Sequence, residues 1–403
     1  MIRITTRRAL VPLVALAMFG AACTSDSDGS STTDSADDSE ATEEPEATDA
    51  PDDADAADDA DAADDAEATD EPDDTVEVVQ EDGSALAAVQ DAGVLRCGTR
   101  DALPGFAVLT PEGDHVGFDS DFCRVIAAAV LGDAEAVDHV DLETADRFTA
   151  LQSGEVDVLV RNTTWTATRD GAEGATFLQT TYFDGQGMMV ATDSGFTSLA
   201  DMDGVIVCVA KGTTTEGNAA TEAARLGLDW EVRAFDDNVL IQEAFLAGQC
   251  DGWSADSSAL VGERSVYPDG PESVTILPEV FSKEPLGPLV RDGDSEWAQA
   301  VEWAIFATIQ AEEFGIDSTN VDSFAGTDNI GIQRFLGLEI EGDDGAAVLD
   351  PGLGLPTDFA FQVVSQVGNY AEIFDAHLAP LGLDRGVNAL WTDGGLMYAP
   401  PYR

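Results

Sequence analysis

Neutral hydrogen-bond donors and one arginine are concentrated where a short apolar stretch ends near the middle of the chain. Residues 156–160 (VDVLV) predict a buried strand, and Asn162, Thr164, Thr166 and Arg169 follow it. A guanidinium group holds a carboxylate through two parallel hydrogen bonds, and hydroxyl and amide groups can complete its coordination. The segment therefore indicates a site for a small carboxylate. The alternative is a threonine-rich strand end with a surface arginine.

A second candidate anion site is the loop 211–216 (KGTTTE), which connects a predicted strand to a predicted helix. Free backbone N–H groups at the start of a helix bind anions, and nearby hydroxyl groups cap the helix. We expect Thr213 and Thr214 to contact a ligand here. A capping box of Thr213 and Glu216 is the alternative, but it does not explain the run of three threonines.

A carboxylate ends the next predicted strand. The run 250–256 (CDGWSAD) places Asp256 at its end, where a carboxylate beside a cleft can bind an ammonium group. An α-amino acid carries a carboxylate and an ammonium group on neighbouring atoms, so Arg169, Thr213 and Asp256 would complement it together. Asp256 can also cap the following helix, and the two roles are compatible.

Strands and helices alternate through the part of the chain that carries these residues. Two successive α/β units, within 94–161 and 205–265, predict parallel sheets with right-handed crossovers and therefore two lobes. The stretches 187–192 and 283–291 flank the second unit and are predicted to be the crossing strands that hinge the lobes. The predicted helices cover 118–131, 145–153, 215–226, 239–247, 256–265 and 295–314, and the predicted strands cover 94–98, 137–142, 156–161, 205–209, 230–235 and 251–254.

The first 83 residues differ from the rest of the chain. Residues 1–22 contain three arginines and then an apolar stretch that is too short to span a bilayer. Small residues before Cys23 resemble a lipoprotein signal, in which Cys23 is lipidated and becomes the first residue. Such signals usually have Leu where this chain has Gly20, and ordinary secretion with cleavage nearby is the alternative.

Residues 23–83 are rich in Asp and Glu, contain no Lys or Arg and repeat an acidic hexad, which predicts a disordered tether.

Charge and cysteine content limit the class of protein further. The chain has 79 Asp and Glu residues, 18 Lys and Arg residues and a formal charge of -61. Such acidity argues against nucleic acid and anionic lipid as partners. An exported protein is expected to oxidise its four remaining cysteines. Three pairings are possible, and the two-lobe organisation favours Cys97 with Cys123 and Cys208 with Cys250. There is no CxxC motif and the three histidines are far apart in sequence, so we expect no metal and no cofactor.

Several runs resemble the solute-binding proteins of polar amino acid ABC transporters, solute-binding family 3, and among them the general L-amino acid-binding type. The resemblance covers about residues 84–403 and implies an α/β, two-lobed, periplasmic-binding-protein-like (type II) fold with a hinge. We expect lobe 1 to begin over 84–188, lobe 2 to span 189–283, and 284–403 to return to lobe 1 and form a C-terminal extension. The matching runs are LQSGEVDVLVRNTTWTATRD, GFDSDFCRVIAAAV, YFDGQGMMV, VCVAKGTTTE, LPEVFSKEPLGPLVR and the last 36 residues, from GNYAEIF to APPYR.

The resemblance also implies roles for single residues. Arg169, Thr213 and Thr214 would bind the ligand carboxylate, and Asp256 would bind its ammonium group. The strand end would add backbone and hydroxyl contacts from Asn162, Thr164 and Thr166. Candidate pocket walls are Phe106, Arg147, Trp165 and Tyr182, although core packing explains the aromatic residues equally well. Arg147 favours broad or polar side-chain specificity over a narrow aromatic one.

The sequence therefore predicts an extracytoplasmic binding lipoprotein, held by a lipid anchor on the outer face of the cytoplasmic membrane or periplasmic. We expect a monomer that captures L-amino acids by hinge closure and delivers them to the permease of an ABC importer. The rival function is enzymatic, because cyclohexadienyl dehydratases resemble this fold. They need a general acid in the cleft, and no motif marks one here.

Overall fold

A computed structural model describes residues 84–341 and 345–403. The predicted signal, Cys23 and the acidic tether lie outside the described residues. The α-helices are α1 Ala85–Ala92, α2 Phe118–Leu131, α3 Arg147–Ser153, α4 Ala167–Ala172, α5 Thr214–Leu226, α6 Asn238–Leu246, α7 Ser257–Ser265, α8 Ser295–Phe314, α9 Ile330–Phe335, α10 Phe359–Gln366 and α11 Tyr370–His377. The strands are β1 Leu95–Thr99, β2 Ala102–Leu103, β3 Ala107–Leu109, β4 His115–Val116, β5 Val137–Asp141, β6 Val158–Leu159, β7 Ala175–Phe177, β8 Tyr182–Asp184, β9 Gln186–Ala191, β10 Ile206–Ala210, β11 Glu231–Phe235, β12 Gly252–Asp256, β13 Val274–Ile276, β14 Glu284–Leu286, β15 Leu289–Arg291, β16 Glu339–Ile340 and β17 Ala347–Val348.

Two five-stranded sheets organise these elements. The first has the order β5-β1-β6-β15-β7, with β1 parallel to β5 and β6 and with β15 antiparallel to its neighbours. The second has the order β11-β10-β12-β9-β13, with β10 parallel to β11 and β12. We call the parts built on these sheets lobe 1 and lobe 2. The predicted α/β class with two lobes is confirmed.

Apolar residues on both faces of each sheet explain why helices cover both faces. In β10, Val207 and Val209 pack into one core cluster with α5, whereas Cys208 packs into the opposite cluster with α6. This alternation follows from the two-residue period of a strand. In lobe 1 the largest cluster combines α2, α8, α10 and α11 on one face of the sheet.

Helix boundaries follow local signals. The helix α2 ends at Gly132, which adopts the left-handed conformation with φ 71° and closes the last turn through its N–H group. The helix α8 begins after Asp294, whose carboxylate accepts the N–H of Trp297 at 2.9 Å. Both helices have the bounds that the sequence predicts. Because such caps are specific to particular residues, they fix the ends of a helix more firmly than apolar periodicity does.

The chain crosses between the lobes at β8 and β14, which form an antiparallel two-stranded sheet. The predicted crossing strand at 187–192 differs from this result, because residues 187–191 belong to β9 inside the second sheet. Its residues Met188, Met189 and Val190 are fully buried, and full burial favours an inner strand over a hinge. The predicted crossing at 283–291 contains β14 but continues as β15 of the first sheet.

The cysteines lie in pairs within single lobes. The structure joins Cys97 of β1 to Cys123 of α2 and joins Cys208 of β10 to Cys250, which precedes β12. Neither bond crosses the hinge, so both leave the lobes free to move relative to each other. In the described part of the chain, no helix is both long and apolar enough to cross a membrane.

Candidate functional site

A narrow cavity of about 50 Å³ lies between the two lobes. The hydroxyl oxygens of Thr164 in lobe 1 and Thr214 in lobe 2 are 3.5 Å apart beside it, so the lobes are in contact here. Several of the lining residues stand at strand ends or at helix starts. The lining residues are Arg100, Thr144, Arg147, Arg161, Asn162, Thr164, Arg169, Ala210, Thr213, Thr214, Thr215, Asn238, Trp253, Ser254, Ala255, Asp256 and Ala259.

Arg169 reaches the cavity from α4, a short helix that directly follows the polar strand end. Its Nη1 donates to the backbone oxygen of Thr164 at 3.0 Å, and its Nη2 lies 3.5 Å from the backbone oxygen of Gly212 in lobe 2. The guanidinium carbon lies 5.7 Å from the ring centroid of Phe148. Burial lowers the pKa of Arg169, although Glu284 and Asp256 act in the opposite direction. The side chain is thus held in place, is buried and has no carboxylate in direct contact among the described residues.

The threonine loop contributes from lobe 2. Thr213 precedes α5, but its hydroxyl donates to the backbone oxygen of Ala210 at 2.6 Å and makes no capping hydrogen bond. The structure therefore lacks the alternative capping box with Glu216. The hydroxyl of Thr214 donates to Glu284 at 2.9 Å. The first turn of α5 borders the cavity, and N–H groups at such a position favour an anion.

Asp256, at the end of β12, lines the same cavity as Arg169. It directly precedes α7, but its side chain makes no capping hydrogen bond. Asp184 of β8 accepts the N–H of Ser258 at 3.2 Å instead and so supplies the cap. Burial, with Asp184 and Glu284 as further causes, raises the pKa of Asp256 well above its usual range. A buried carboxylate that is not used for capping is available to a ligand.

Asn162 has a strained backbone at the cavity wall. Its φ of 33° is the one positive φ among the non-glycine residues of the described ranges, and such strain is often stored at functional sites. The N–H of Asn162 donates to Asp119 at 2.8 Å. Burial raises the pKa of Asp119 to about 7, although this hydrogen bond, Arg100 and Arg161 act against the rise. Asp119 therefore fixes a backbone conformation that the sequence does not reveal.

Three further arginines line the cavity. Arg147, a predicted wall residue, donates to Thr163 at 3.1 Å, and burial lowers its pKa to about 9 with help from Arg169 and Arg100. Arg161 donates to the backbone oxygen of Leu142 at 2.7 Å, and burial lowers its pKa well below its usual range. The Nε of Arg100 is buried and has no hydrogen-bond partner among the described residues. None of these arginines, nor Arg169, forms an ion pair within 4 Å in the described ranges.

Four predicted contact or wall residues lie elsewhere. The hydroxyl of Thr166 accepts the N–H of Arg169 at 3.2 Å and so caps α4. Trp165 is 41% exposed and stacks on Phe177 outside the cavity. Phe106 and Tyr182 pack edge to face in the core of lobe 1, with ring centroids 5.7 Å apart. Of the predicted wall residues, Arg147 therefore lines the cavity, and the aromatic residue in the lining is Trp253.

Sequence reasoning missed Arg100 and Arg161, although a signal was present. Arg100 follows β1, and Arg161 follows β6, its parallel neighbour in the first sheet. The carboxyl ends of parallel strands lie at one edge of a sheet, where ligands bind in α/β folds. Asn238 and Ser254 were also missed, since they depend on how lobe 2 faces lobe 1. In the described ranges no group of three or more His, Cys, Asp or Glu residues is arranged to hold a metal.

The fold and the cavity define a two-lobed protein that can enclose a small polar solute at its hinge. A family model for the bacterial extracellular solute-binding proteins, family 3, matches residues 95–315. The chain belongs to this family.

Three relatives show how far the similarity extends. The general L-amino acid-binding periplasmic protein AapJ of Rhizobium johnstonii is 44% identical over 323 residues, which are 79% of this chain and 93% of AapJ. The glutamate/glutamine/aspartate/asparagine-binding protein BztA of Rhodobacter capsulatus is also 44% identical, over 79% of this chain and 94% of BztA. A solved ABC transporter / periplasmic binding protein from Brucella ovis with glutathione bound is 40% identical and has a TM-score of 0.76. The matched region covers 80% of this chain and 100% of the Brucella ovis chain. These relatives are binding proteins and not enzymes.

Proposed function

We propose that this protein captures an L-amino acid between its lobes and delivers it to the permease of an ABC importer. The observation that carries the proposal is that Arg169 of lobe 1 and Asp256 of lobe 2 border the same cavity as the first turn of α5. A ligand carboxylate can contact Arg169 and the helix start, and the ammonium group can contact Asp256. Such a ligand touches both lobes, so the closed state gains contacts that an open state lacks.

The charge of the lining supports a narrower ligand class. Four arginines and one carboxylate line the cavity, whereas one α-carboxylate needs one guanidinium group. A second anionic or strongly polar group on the ligand would compensate the remaining positive charge. We therefore favour glutamate, aspartate and their amides over cationic or aliphatic amino acids. The similarity to BztA, whose name specifies these four amino acids, supports the same choice.

A thermal-shift and calorimetry series tests this proposal. Glutamate, aspartate, glutamine and asparagine should stabilise the protein, because bound ligand raises the melting temperature by mass action. Lysine, arginine and leucine should have little effect at equal concentration. Stabilisation by lysine or arginine alone would contradict the proposed class, and no stabilisation by any of the twenty amino acids would contradict amino acid binding.

Glutathione is a second candidate ligand, because the Brucella ovis relative has glutathione bound. A neighbouring cavity of about 230 Å³ shares Arg100, Arg161 and Asn238 with the first, and it is also lined by the acidic residues Asp101, Glu143, Asp237 and Glu263. A γ-glutamyl peptide could place its amino acid end near Asp256 and its distal carboxylate near Arg100 and Arg161. Calorimetry of glutathione and glutamate in competition separates the two candidates. The same measurement on Arg161→Ala should show a larger loss of affinity for glutathione than for glutamate.

The membrane arrangement is also a proposal. The predicted lipid anchor at Cys23 and the acidic tether over residues 24–83 would keep the binding lobes near the permease at the outer face of the membrane. Intact-mass measurement of the protein purified from a membrane fraction tests the anchor. A diacylglycerol adduct on a chain that begins at Cys23 is expected, and an unmodified soluble chain would contradict it.

A further inference from the structure

The C-terminal part of the chain holds one of the two crossing strands. In the paired crossing strands, Tyr182 lies opposite Leu286, Phe183 opposite Pro285 and Asp184 opposite Glu284. On the outer edge of β14, the backbone oxygen of Pro285 accepts the N–H of Trp165 at 2.8 Å. On the outer edge of β8, the corresponding backbone groups of Phe183 face away from β14 and need another partner.

Asn388 supplies that partner from 205 residues further along the chain. The N–H of Phe183 donates to Asn388 Oδ1 at 2.7 Å, and Asn388 Nδ2 donates to the backbone oxygen of Phe183 at 3.1 Å. A side-chain amide has the same donor and acceptor as a peptide group, so Asn388 replaces one residue of a third strand. It is 3% exposed, which protects both hydrogen bonds from water.

Neighbouring residues keep Asn388 in position. Arg385 donates to the backbone oxygen of Asn388 at 3.0 Å, pairs with Glu312 at 3.0 Å and lies 4.8 Å from the ring centroid of Tyr370. The hydroxyl of Tyr370 donates to the backbone oxygen of Thr181 at 2.7 Å. We call Tyr370, Arg385 and Asn388 the hinge clamp. Together they hold residues 181–183 to the C-terminal extension of lobe 1.

The next residues of both crossings are held by lobe 2. Asp184 accepts the N–H of Ser258, and the backbone oxygen of Gly185 accepts the N–H of Ser257 at 2.8 Å. On the other crossing, Glu284 accepts from Thr214 at 2.9 Å and from Asn218 at 2.7 Å. Attachment therefore changes from lobe 1 to lobe 2 between Phe183 and Asp184, and between Pro285 and Glu284.

We propose that the hinge clamp confines bending to the φ and ψ dihedrals at these two adjacent junctions, since the peptide bonds themselves are planar, and that it thereby sets how readily the lobes close. Without Asn388, residues 181–183 can also bend, and the ligand-free state samples more lobe orientations. Closure must then restrict more conformations, which weakens binding although Asn388 does not line the cavity. Asn388 is thus a positioning residue for closure.

Asn388→Ala tests the proposal, and Gln366→Ala is its matched control. Gln366 uses its side-chain amide in the same way, since it accepts the N–H of Ala134 at 2.9 Å and donates to Gly132 at 3.0 Å, far from the crossings. Both variants should lower the melting temperature. Only Asn388→Ala should broaden the distance distribution between spin labels on Glu155→Cys of lobe 1 and Asp229→Cys of lobe 2 in the ligand-free protein. It should also raise the Kd for L-glutamate about fivefold or more.

The two readouts keep the test informative. The ligand-free distance distribution does not depend on the identity of the ligand, so it tests the clamp even if the protein binds no glutamate. If Asn388→Ala does not fold, Asn388→Asp keeps the acceptor for the N–H of Phe183, removes the donor and should shift both readouts in the same direction. Distance distributions and Kd values that match those of the Gln366→Ala control would overturn the proposal.

Discussion

Asp256 determines the charge balance of the cavity. It is the one carboxylate among the lining residues of the described chain, and four arginines share the cavity with it. The rest of its surroundings is unfavourable to a negative charge, because it is buried and has Asp184 and Glu284 nearby. An ammonium group placed beside Asp256 would offset both the burial and the neighbouring carboxylates. Under the proposed function, recognition of the amino group depends on this side chain.

Asp256→Asn should weaken binding of a free amino acid strongly. Removing one partner of a desolvated charge pair costs about 2–5 kcal/mol, or about 30- to 4000-fold in affinity. The variant should also lose the preference for glutamate over N-acetylglutamate in calorimetry. Asp251→Asn is the control, because Asp251 lies just before the same strand, accepts from the N–H of Ile206 and does not line the cavity. Parental affinity in Asp256→Asn would move the site elsewhere.

Arg169→Ala should instead affect the carboxylate end of the ligand. The affinity of the variant for glutamate should fall by a similar factor of about 30 to 4000. The α-methyl ester of glutamate should have at least the same affinity for the variant as for the parent. Arg96→Ala serves as the control, since Arg96 is an exposed arginine of lobe 1 paired with Asp157. An equal loss for the ester and the free acid would argue against carboxylate contact by Arg169.

Binding should release a proton. The pKa of Asp256 is raised above 3.8 in the ligand-free protein, and a ligand ammonium group favours the ionised form and lowers this pKa again. Between the bound and free pKa values, affinity should therefore rise with pH, by up to about tenfold per unit. The raised pKa of Asp256 also affects the free energy of unfolding of the ligand-free protein. Its contribution stabilises the folded state below pH 3.8 and is lost as the pH rises through the pKa of the folded state.

Calorimetry in two buffers with different ionisation enthalpies at pH 6 measures the number of protons released. Asp256→Asn should release fewer protons than the parent. Burial raises the pKa of Asp184 to about 6, and Asp184 also raises the pKa of Asp256, so the difference between the parent and the variant reports proton release by this pair of carboxyl groups. Equal proton release in the parent and the variant would show that another group is responsible.

At the scale of elements, the sequence predicts those features that depend on residues close together in the chain, such as helix bounds. The helices α2 and α8 have the predicted bounds because periodic apolar residues and specific caps agree. Thr213, Thr214 and Asp256 were predicted because they end strands or begin helices, and all three line the cavity. Thr166 also stands at a helix start, but its hydroxyl is used by the cap and not by the cavity. The local sequence pattern therefore identifies the loops that border the cavity, but it does not determine which of their side chains line it.

Properties that depend on distant contacts could not be predicted. The crossing at β8 was placed too late because its partner β14 is 102 residues away in sequence, counted between Tyr182 and Glu284. Arg161 immediately precedes Asn162, yet its guanidinium reaches the cavity only because Leu142 and Thr144 hold it. The strained φ of Asn162 depends on Asp119, which lies on another element. Each of these features requires the assembled lobe.

Asp294 links the starts of two helices, and its loss should cost more than one cap. Its carboxylate accepts the N–H of Trp297 in α8 at 2.9 Å, the N–H of Ala85 in α1 at 2.6 Å and the hydroxyl of Ser84 at 3.1 Å. One capping residue contributes about 1 kcal/mol. Asp294→Ala should therefore lower the free energy of unfolding by about 2 kcal/mol or more.

The control is Asp237→Ala, which removes a single cap from α6 through the N–H of Leu240. Urea unfolding should show roughly half the loss found for Asp294→Ala. Equal losses in the two variants would mean that the contact between Asp294 and α1 contributes no stability.

At the scale of the whole molecule, each covalent cross-link lies within one lobe, and the moving parts lie between the lobes. The disulfide bonds hold β1 to α2 and β10 to the segment before β12. The crossings, by contrast, are held in the described ranges by hydrogen bonds, by buried carboxylates and by the packing of Tyr182 and Leu286 in the core of lobe 1. This division stabilises the lobes without opposing closure, and it agrees with the proposed control of the hinge by Asn388, which does not line the cavity.

Deleting residues 24–83 should leave glutamate affinity unchanged at about 0.15 M salt, because the acidic tether carries none of the proposed contact residues. Its negative charge should still repel an anionic ligand when screening is weak. At about 0.01 M salt the Debye length is about 30 Å, so deletion should strengthen binding of glutamate but not of glutamine, which is neutral overall. Calorimetry with both ligands at both salt concentrations measures this, and glutamine is the internal control. A tenfold loss of affinity for either ligand at 0.15 M salt would show instead that the acidic segment takes part in binding.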